Sequence, residues 1–244
     1  MKYGAILTFV LIVVFASCND DVKIDDNPTP SNGSLLVNFT HSFNQVPFNF
    51  SSNFVTNLND TIKFSAFVYY ISNVSLQNEA GNWVNLGNYN LVDFSDPASL
   101  KLNIANLPGG TYKKMRFLVG VDSIANSTGA QEGALNPSNG MFWSWATGYI
   151  FIRMQGRFNN NQPMTIDMGG LQNLPVIELP VDATIIQGSS ATANVNFNVA
   201  DVFITPNNYK LDSISSIMHD ALHPNAYLLK QNVETGAFSL ISFQ

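Results

Sequence analysis

The stretch LLVNFTH, residues 35–41, alternates apolar and polar side chains along most of its length. In an extended chain, Leu35, Val37, Phe39 and His41 would share one face, with asparagine and threonine on the other. An alternation of period two is typical of a strand in an antiparallel sheet that is buried on one side. The stretch therefore predicts a β-strand whose last inward residue, His41, is polar.

The same period recurs further along the chain, in residues 61–70, 112–121 and 193–200. In the first of these, one predicted face consists of Ile62, Phe64, Ala66, Val68 and Tyr70. Clusters of Gly, Pro and Asn, such as LPGG and FNNNQP, separate the alternating runs and mark turns. Many short strands joined by such turns predict an all-β fold, which we expect to be an antiparallel β-sandwich.

One segment departs from the period of two. In KLDSISSIMHDALHPNA, residues 210–226, apolar residues recur at spacings of three and four, which predicts one short helix near the C-terminus that ends at Pro224. The spaced residues are Leu211, Ile214, Met218 and Leu222. His219 and His223 are four residues apart, so on such a helix both rings would project from one side.

The N-terminus has the pattern of a secreted protein. Lys2 precedes an apolar run over residues 5–15, which is too short to span a bilayer comfortably. The run ends in FASC, and small residues before Cys18, the single cysteine, resemble a bacterial lipobox. An ordinary signal peptide with an unused thiol is the alternative.

These features divide the chain into three parts. We expect a lipoprotein signal peptide in residues 1–17, a disordered tether in 18–34 and one β-sandwich domain in 35–244. Acyl chains on Cys18 would anchor the protein to a membrane. We therefore expect an outer membrane lipoprotein on the periplasmic or cell-surface side.

Composition and motifs exclude several classes of function. Only 11% of residues are charged, and the net charge is −6 with a pI of about 4.8. No cluster of Lys and Arg is available to replace phosphate counterions, which argues against nucleic acid as a partner. The sequence has neither a GxSxG elbow nor a phosphate-binding loop, so we expect no enzymatic activity.

The three histidines, His41, His219 and His223, are the candidate metal ligands. Two imidazoles at i and i+4 can converge on one ion, and the sulfur atoms of Met141 and Met218 favour copper over calcium or magnesium. The alternative is that each histidine has a structural role, in a hydrogen bond or near a helix terminus.

An ordered set of motifs covers the middle of the chain: GVDS, GAQEGALNP, GMFWSW and GYIF, between residues 120 and 151. With FSAFVYYISNVSL and YNLVDF before it, this set resembles the MbnP-like family of periplasmic or surface copper-binding proteins. That family includes methanobactin-associated and MopE-related proteins. The resemblance covers roughly residues 35–244.

The resemblance implies a β-rich domain that binds copper, as Cu(I) or Cu(II), through histidines. In some members a tryptophan is oxidised to kynurenine, and a dihaem enzyme resembling cytochrome c peroxidase is the expected partner. Carried onto this sequence, the resemblance makes His41 the first ligand and His219 the second. Trp143, beside Met141, is then the leading residue for oxidation, with Trp145 in reserve.

His223 is a third ligand candidate on helical spacing alone. Asp167 and Met168 stand where the resemblance implies a histidine before Gly-Gly, which puts one ligand in doubt. The function that follows is copper acquisition, storage or delivery.

Two other functions remain open from the sequence. If residues 143–151 form one strand, Trp143, Trp145 and Tyr149 share a face, which could line a metal pocket near His41 or pack in the core. The same row could stack on sugars in a surface glycan-binding or adhesion domain. A structural lipoprotein that has lost the metal site is the third reading.

Overall fold

The computed structural model describes residues 32–144, 148–212, 215–218 and 223–244, apart from the side chains of Asn88 and Ser144. Within these residues lie fourteen strands and two α-helices. The strands are β1 (Gly33–Phe43), β2 (Val46–Pro47), β3 (Phe54–Val55), β4 (Thr61–Asn78), β5 (Trp83–Asp93), β6 (Lys101–Leu107), β7 (Gly110–Leu118), β8 (Phe142–Ser144), β9 (Gly148–Phe158), β10 (Gln162–Gly169), β11 (Val176–Ile185), β12 (Ser190–Asn198), β13 (Ser216–Ile217) and β14 (Phe238–Phe243). The helices are α1 (Ser123–Ser127) and α2 (Pro224–Asn232).

The strands form two packed sheets. Sheet one has the order β14-β12-β1-β2, with β6 also paired to β1. Sheet two has the order β11-β7-β4-β9-β10-β13, with β3 and β5 paired to β4 and β8 paired to β9. The predicted β-sandwich with a short helix near the C-terminus is confirmed. Both sheets are mixed rather than purely antiparallel, because β1 pairs with β12, and β10 with β13, in parallel.

The parallel pair of β1 and β12 brings together the two most regular alternating stretches. Their inward residues are buried: Leu35, Val37, Phe39 and His41 from β1, and Val195 and Phe197 from β12. On the outer face the asparagines bond to each other, since the Asn38 side chain donates to Asn194 at 3.0 Å. Residues that only looked polar in the sequence thus form a ladder of side chains across the pair.

The long strand β4 departs from the predicted alternation. Phe64, Phe67 and Tyr69 are all buried against sheet one, and the register with β9 shifts between Phe64 and Ala66. Such a shift is a β-bulge, which reverses the faces of the residues that follow it up to the next shift, between Ser72 and Ser75. The predicted single face running from Phe64 to Tyr70 is therefore wrong beyond the bulge.

Aromatic rings from both sheets join at the centre of the sandwich. Phe238 of β14 lies 4.3 Å from Phe197 and 5.3 Å from Phe117, measured between ring centroids. Phe39 contacts Phe117 and Tyr69 edge to face, each at 6.3 Å. Each of these rings buries a large apolar area, and edge-to-face pairs add roughly 0.5–1.5 kcal/mol beyond that area. These aromatic contacts between the two sheets therefore surround Tyr69 and hold the sheets together.

The helix near the C-terminus does not lie where its spacing predicted. Leu211 is in a turn, and Ser216–Ile217 forms β13, which pairs with Thr165 and Ile166 of β10. Pro224 begins α2 rather than ending a helix. Proline suits a first helical position because its missing N–H would have no partner there. Ile214, His219 and Leu222 lie outside the described residues.

Candidate metal centre

His41 lies between the sheets near the end of β1, with only 8% of its surface exposed. Its ring centroid lies 5.4 Å from that of Phe67, 5.8 Å from Tyr69 and 5.3 Å from Phe94. The His41 Nε2 is 2.9 Å from the Tyr69 hydroxyl oxygen, within hydrogen-bond distance. The predicted inward direction of His41 is confirmed, and its surroundings are aromatic.

Burial keeps the imidazole neutral. It lowers the pKa of His41 from 6.5 to about 4, because the charged form would lose its hydration. Burial also raises the pKa of Tyr69 well above 10, so this hydroxyl keeps its proton. The pair at neutral pH is an uncharged imidazole beside an uncharged phenol.

The second ring nitrogen of His41 is the unusual atom of this site. The Nδ1 atom is buried and has no hydrogen-bond partner among the described residues. If Nε2–H donates to Tyr69, the lone pair of Nδ1 is left without a donor from which it could accept a hydrogen bond. A metal-ligating histidine ordinarily donates its other ring N–H to a neighbour in this way. His41 and Tyr69 therefore have the chemistry of one metal ligand and its supporting residue.

The motif GMFWSW forms a hairpin with GYIF rather than one continuous strand. Phe142 of β8 pairs directly with Tyr149 of β9, and their ring centroids are 4.9 Å apart. The predicted single row of Trp143 and Tyr149 is therefore wrong, since these residues lie on two strands that pair antiparallel. Phe142, as the paired residue, shares the face of Tyr149.

Tyr149 is fully buried, and its hydroxyl donates to the carbonyl oxygens of Gly129 and Leu135. Its ring contacts Tyr70, on the face of β4 opposite to Tyr69. Tyr149 therefore belongs to the packing of the long loop between β7 and β8. It cannot serve as a platform for sugars.

Trp143 occupies a bulge in the pairing of β8 with β9, where the register shifts between Phe142 and Ser144. Its indole lies over Gly169, where an added Cβ atom would come within 2.7 Å of the ring. Only glycine leaves room for this ring. Bulges of this kind often set the direction of a side chain beside a functional site.

The motif MTIDMGG contributes one partner of an ion pair that supports the segment before Trp143. The carboxylate of Asp167 accepts two hydrogen bonds from Arg153, at 2.8 and 2.6 Å. The guanidinium also donates to the carbonyl oxygen of Gly140, directly before Met141, at 3.0 Å. Asp167 stands where a family histidine was expected, and its two oxygens are engaged by Arg153 rather than directed at a metal.

The other two described candidate ligands, Met141 and His223, lie on different elements from His41. Met141 is buried, and its carbonyl oxygen accepts a hydrogen bond from the Ile150 amide at 3.0 Å. His223 caps the start of α2, where its Nδ1 accepts from the Asn225 amide at 3.2 Å. The predicted helix carrying both His219 and His223 is wrong at its C-terminal end, because His223 precedes a helix.

Three of the predicted residues, Cys18, Trp145 and His219, lie outside the described residues. The predicted meeting of His41 with His219 is therefore not tested by the described geometry. Within residues 32–144, 148–212, 215–218 and 223–244, no three His, Cys, Asp or Glu side chains are grouped as metal ligands.

Sequence reasoning missed Tyr69 and Arg153. Tyr69 faces inward because of the bulge in β4, and no residue at the bulge indicated it in the sequence. Arg153 and Asp167 did leave a signal. They lie at equal distances from the Asn-rich turn at residues 159–161, and opposite charges so placed in an antiparallel hairpin must pair.

Comparison with known proteins agrees with this architecture. A model of the MbnP family matches residues 32–219, which is most of the chain. The chain belongs to the MbnP family.

A solved structure of MbnP from Methylosinus trichosporium is similar to this MbnP family member, with a TM-score of 0.56 and 13% sequence identity. The similarity covers 85% of this chain and 97% of the Methylosinus protein. At this identity the likeness establishes the fold. No curated protein matches the chain. Among the described residues of this family member, neither helix has the length and apolar character needed to cross a bilayer.

Proposed function

We propose that this MbnP family member is a lipid-anchored copper-binding protein that takes up, stores or delivers copper, without catalysing a reaction itself. Copper is the cargo in this proposal, as Cu(I) or Cu(II). The observation that carries it is the buried, neutral imidazole of His41, whose Nδ1 has no partner among the described residues. Family membership supports the choice of copper.

In this proposal His41 binds the ion through Nδ1, and the Tyr69 hydroxyl oxygen accepts a hydrogen bond from Nε2–H, which fixes the tautomer. Since the ring is already neutral, binding releases no proton from His41 above about pH 5. His219 supplies the second imidazole. Trp143 is the candidate for oxidation to kynurenine by a dihaem partner enzyme.

Lipidation of Cys18 would hold the protein at the outer membrane, on its periplasmic or cell-surface side. The two parts of the proposal are separable, because the anchor does not depend on the metal site. Intact-mass measurement of the native protein reports the acyl chains, bound copper and any oxygen added to tryptophan.

Copper titration of the chain from Cys18 onward tests the binding site. We expect His41→Gln and His219→Gln each to weaken binding at least tenfold. Tyr69→Phe should weaken it roughly 10- to 100-fold, because it removes the partner that orients the ligand. Circular dichroism of each variant establishes that it is folded.

His223→Asn is the matched control, since asparagine can keep the cap of α2 while removing an imidazole. We expect its copper affinity to equal that of the wild type. Unchanged affinity in His41→Gln would overturn the proposed site, whereas a loss in His223→Asn would move the site to the start of α2.

A further inference from the structure

Two positively charged residues face each other on the outer side of sheet two. Lys63 of β4 pairs directly with Arg157 of β9, and both side chains are exposed. Like charges in direct cross-strand positions repel each other and destabilise a sheet. The placement of Lys63 opposite Arg157 therefore does not serve the stability of the sheet.

Carboxylates balance most other cations in the described part of the chain. Six of its nine Lys and Arg side chains lie within 4.0 Å of a carboxylate: Lys113, Lys114, Arg116, Arg153, Lys210 and Lys230. Of the remaining three, Lys63 and Arg157 are neighbours and Lys101 lies on β6 in sheet one. In a chain with 17 acidic residues and a net charge of −6, this pair is a local exception.

The pair lines a cavity of about 170 Å³ beside the start of β4 and the end of β9. The other lining residues carry hydroxyl or amide groups: Asn53, Thr61, Asn159 and Asn161. Arg157 donates one N–H to the backbone oxygen of Asn161 at 3.3 Å. A guanidinium has five N–H groups, so four remain for a ligand.

Two carboxylates lie beyond the rim of this cavity and are already engaged. The Asn159 amide donates to buried Asp60 at 3.0 Å and to Asp212 at 2.8 Å. Asp212 is also paired with Lys210 at 3.6 Å. Among the described residues, neither carboxylate lies within 4.0 Å of a charged nitrogen atom of Lys63 or Arg157, so neither forms an ion pair with them.

We propose that this cavity binds a small oxyanion, a phosphate or carboxylate group, between Arg157 and Lys63. The planar guanidinium matches two oxygens at once, and the ammonium adds a point charge. The Thr61 hydroxyl and the Asn53 amide can donate to the remaining oxygens. Lys63 points away from the inner face that holds Phe64, so this site is separate from His41 and does not depend on copper binding.

The oxyanion could be a free anion or the headgroup of a lipid, and the test separates these sources. The isotope-labelled chain from Cys18 onward, in detergent-free buffer, is titrated by NMR with inorganic phosphate and with acetate at constant ionic strength. A third arm uses vesicles of phosphatidylglycerol against vesicles of phosphatidylcholine. We expect saturable shifts at the Arg157 Nε–H signal and the Thr61 amide with at least one anionic probe.

Lys63→Gln/Arg157→Gln should weaken binding at least tenfold, while the control Lys101→Gln/Lys114→Gln, with the same change in charge, should keep it. The first variant should melt no lower than the wild type, because it removes repulsion. Arg157→Lys keeps the positive charge but lacks the planar guanidinium, so it should bind the anion more weakly than the wild type. Equal loss in the control, or no saturable shift with any probe, would overturn the site.

Discussion

His41 is a buried base that the fold keeps unprotonated. Its pKa falls to about 4 in the folded chain, against 6.5 when it is exposed to water. Between these values the unfolded chain binds more protons than the folded one. The stability that His41 contributes is therefore complete above about pH 6.5 and is lost as the pH falls towards 4.

Urea unfolding of the metal-free protein between pH 4 and pH 7.5 checks this prediction. We expect the free energy of unfolding to fall by about 3 kcal/mol across that range because of His41 alone. His41→Gln should remove this part of the slope, while the other histidines contribute equally to both proteins. Parallel pH profiles for the two proteins would contradict the prediction.

Gly169 is the residue that admits the Trp143 indole. Gly169→Ala would place a Cβ atom 2.7 Å from that ring and 2.7 Å from the Tyr149 carbonyl oxygen, so β9 and β10 must separate and the indole must shift. We expect a loss of about 1–3 kcal/mol in stability and a change in tryptophan fluorescence. Gly236→Ala is the control, since its Cβ would meet no atom closer than 4.0 Å.

At the scale of elements, the hairpin of β9 and β10 depends on one ion pair. Asp167 is buried, whereas the Arg153 side chain is 22% exposed. Asp167→Ala leaves the guanidinium partly buried without its carboxylate, and we expect a loss of about 3 kcal/mol in urea unfolding. Asp182→Ala removes an exposed partner of Lys113 and should have no measurable effect.

The same ion pair also fixes the start of β8. Arg153→Met/Asp167→Leu should restore much of the stability, because an apolar pair has no desolvation cost. It cannot restore the hydrogen bond to Gly140. Hydrogen exchange at the Ile150 amide, which is bonded to Met141, should therefore be faster in the double variant than in the wild type.

At the scale of the whole molecule, the last strand closes the core. β14 pairs with β12 in sheet one, and Phe238 contacts Phe117 of sheet two. A chain that ends at Ala237 loses this contact and exposes the edge of β12, so we expect it not to unfold cooperatively.

Thermal unfolding followed by near-ultraviolet circular dichroism measures this effect. The comparison is a chain that begins at Asn32, which keeps both sheets and should melt like the longer protein. A cooperative transition in the chain ending at Ala237 would show that β14 is dispensable.

Local residue patterns were enough to predict the class of fold. The alternation in residues 35–41 and 193–200 marks strands because a side chain in a strand points to one face or the other. The sequence also predicted that His41 faces inward. It could not predict that β1 and β12 pair in parallel, because their partners are 156 residues apart and no local interaction selects them.

Tertiary structure alone decided what surrounds the candidate site. A bulge turned Tyr69 towards His41, a hairpin separated Trp143 from Tyr149, and proline began a helix that apolar spacing had placed earlier. Each outcome depends on hydrogen bonds between strands, which compete with the preferences of single residues. The sequence thus determined which side chains could bind a metal or an anion, and packing determined which of them have an unused donor or acceptor.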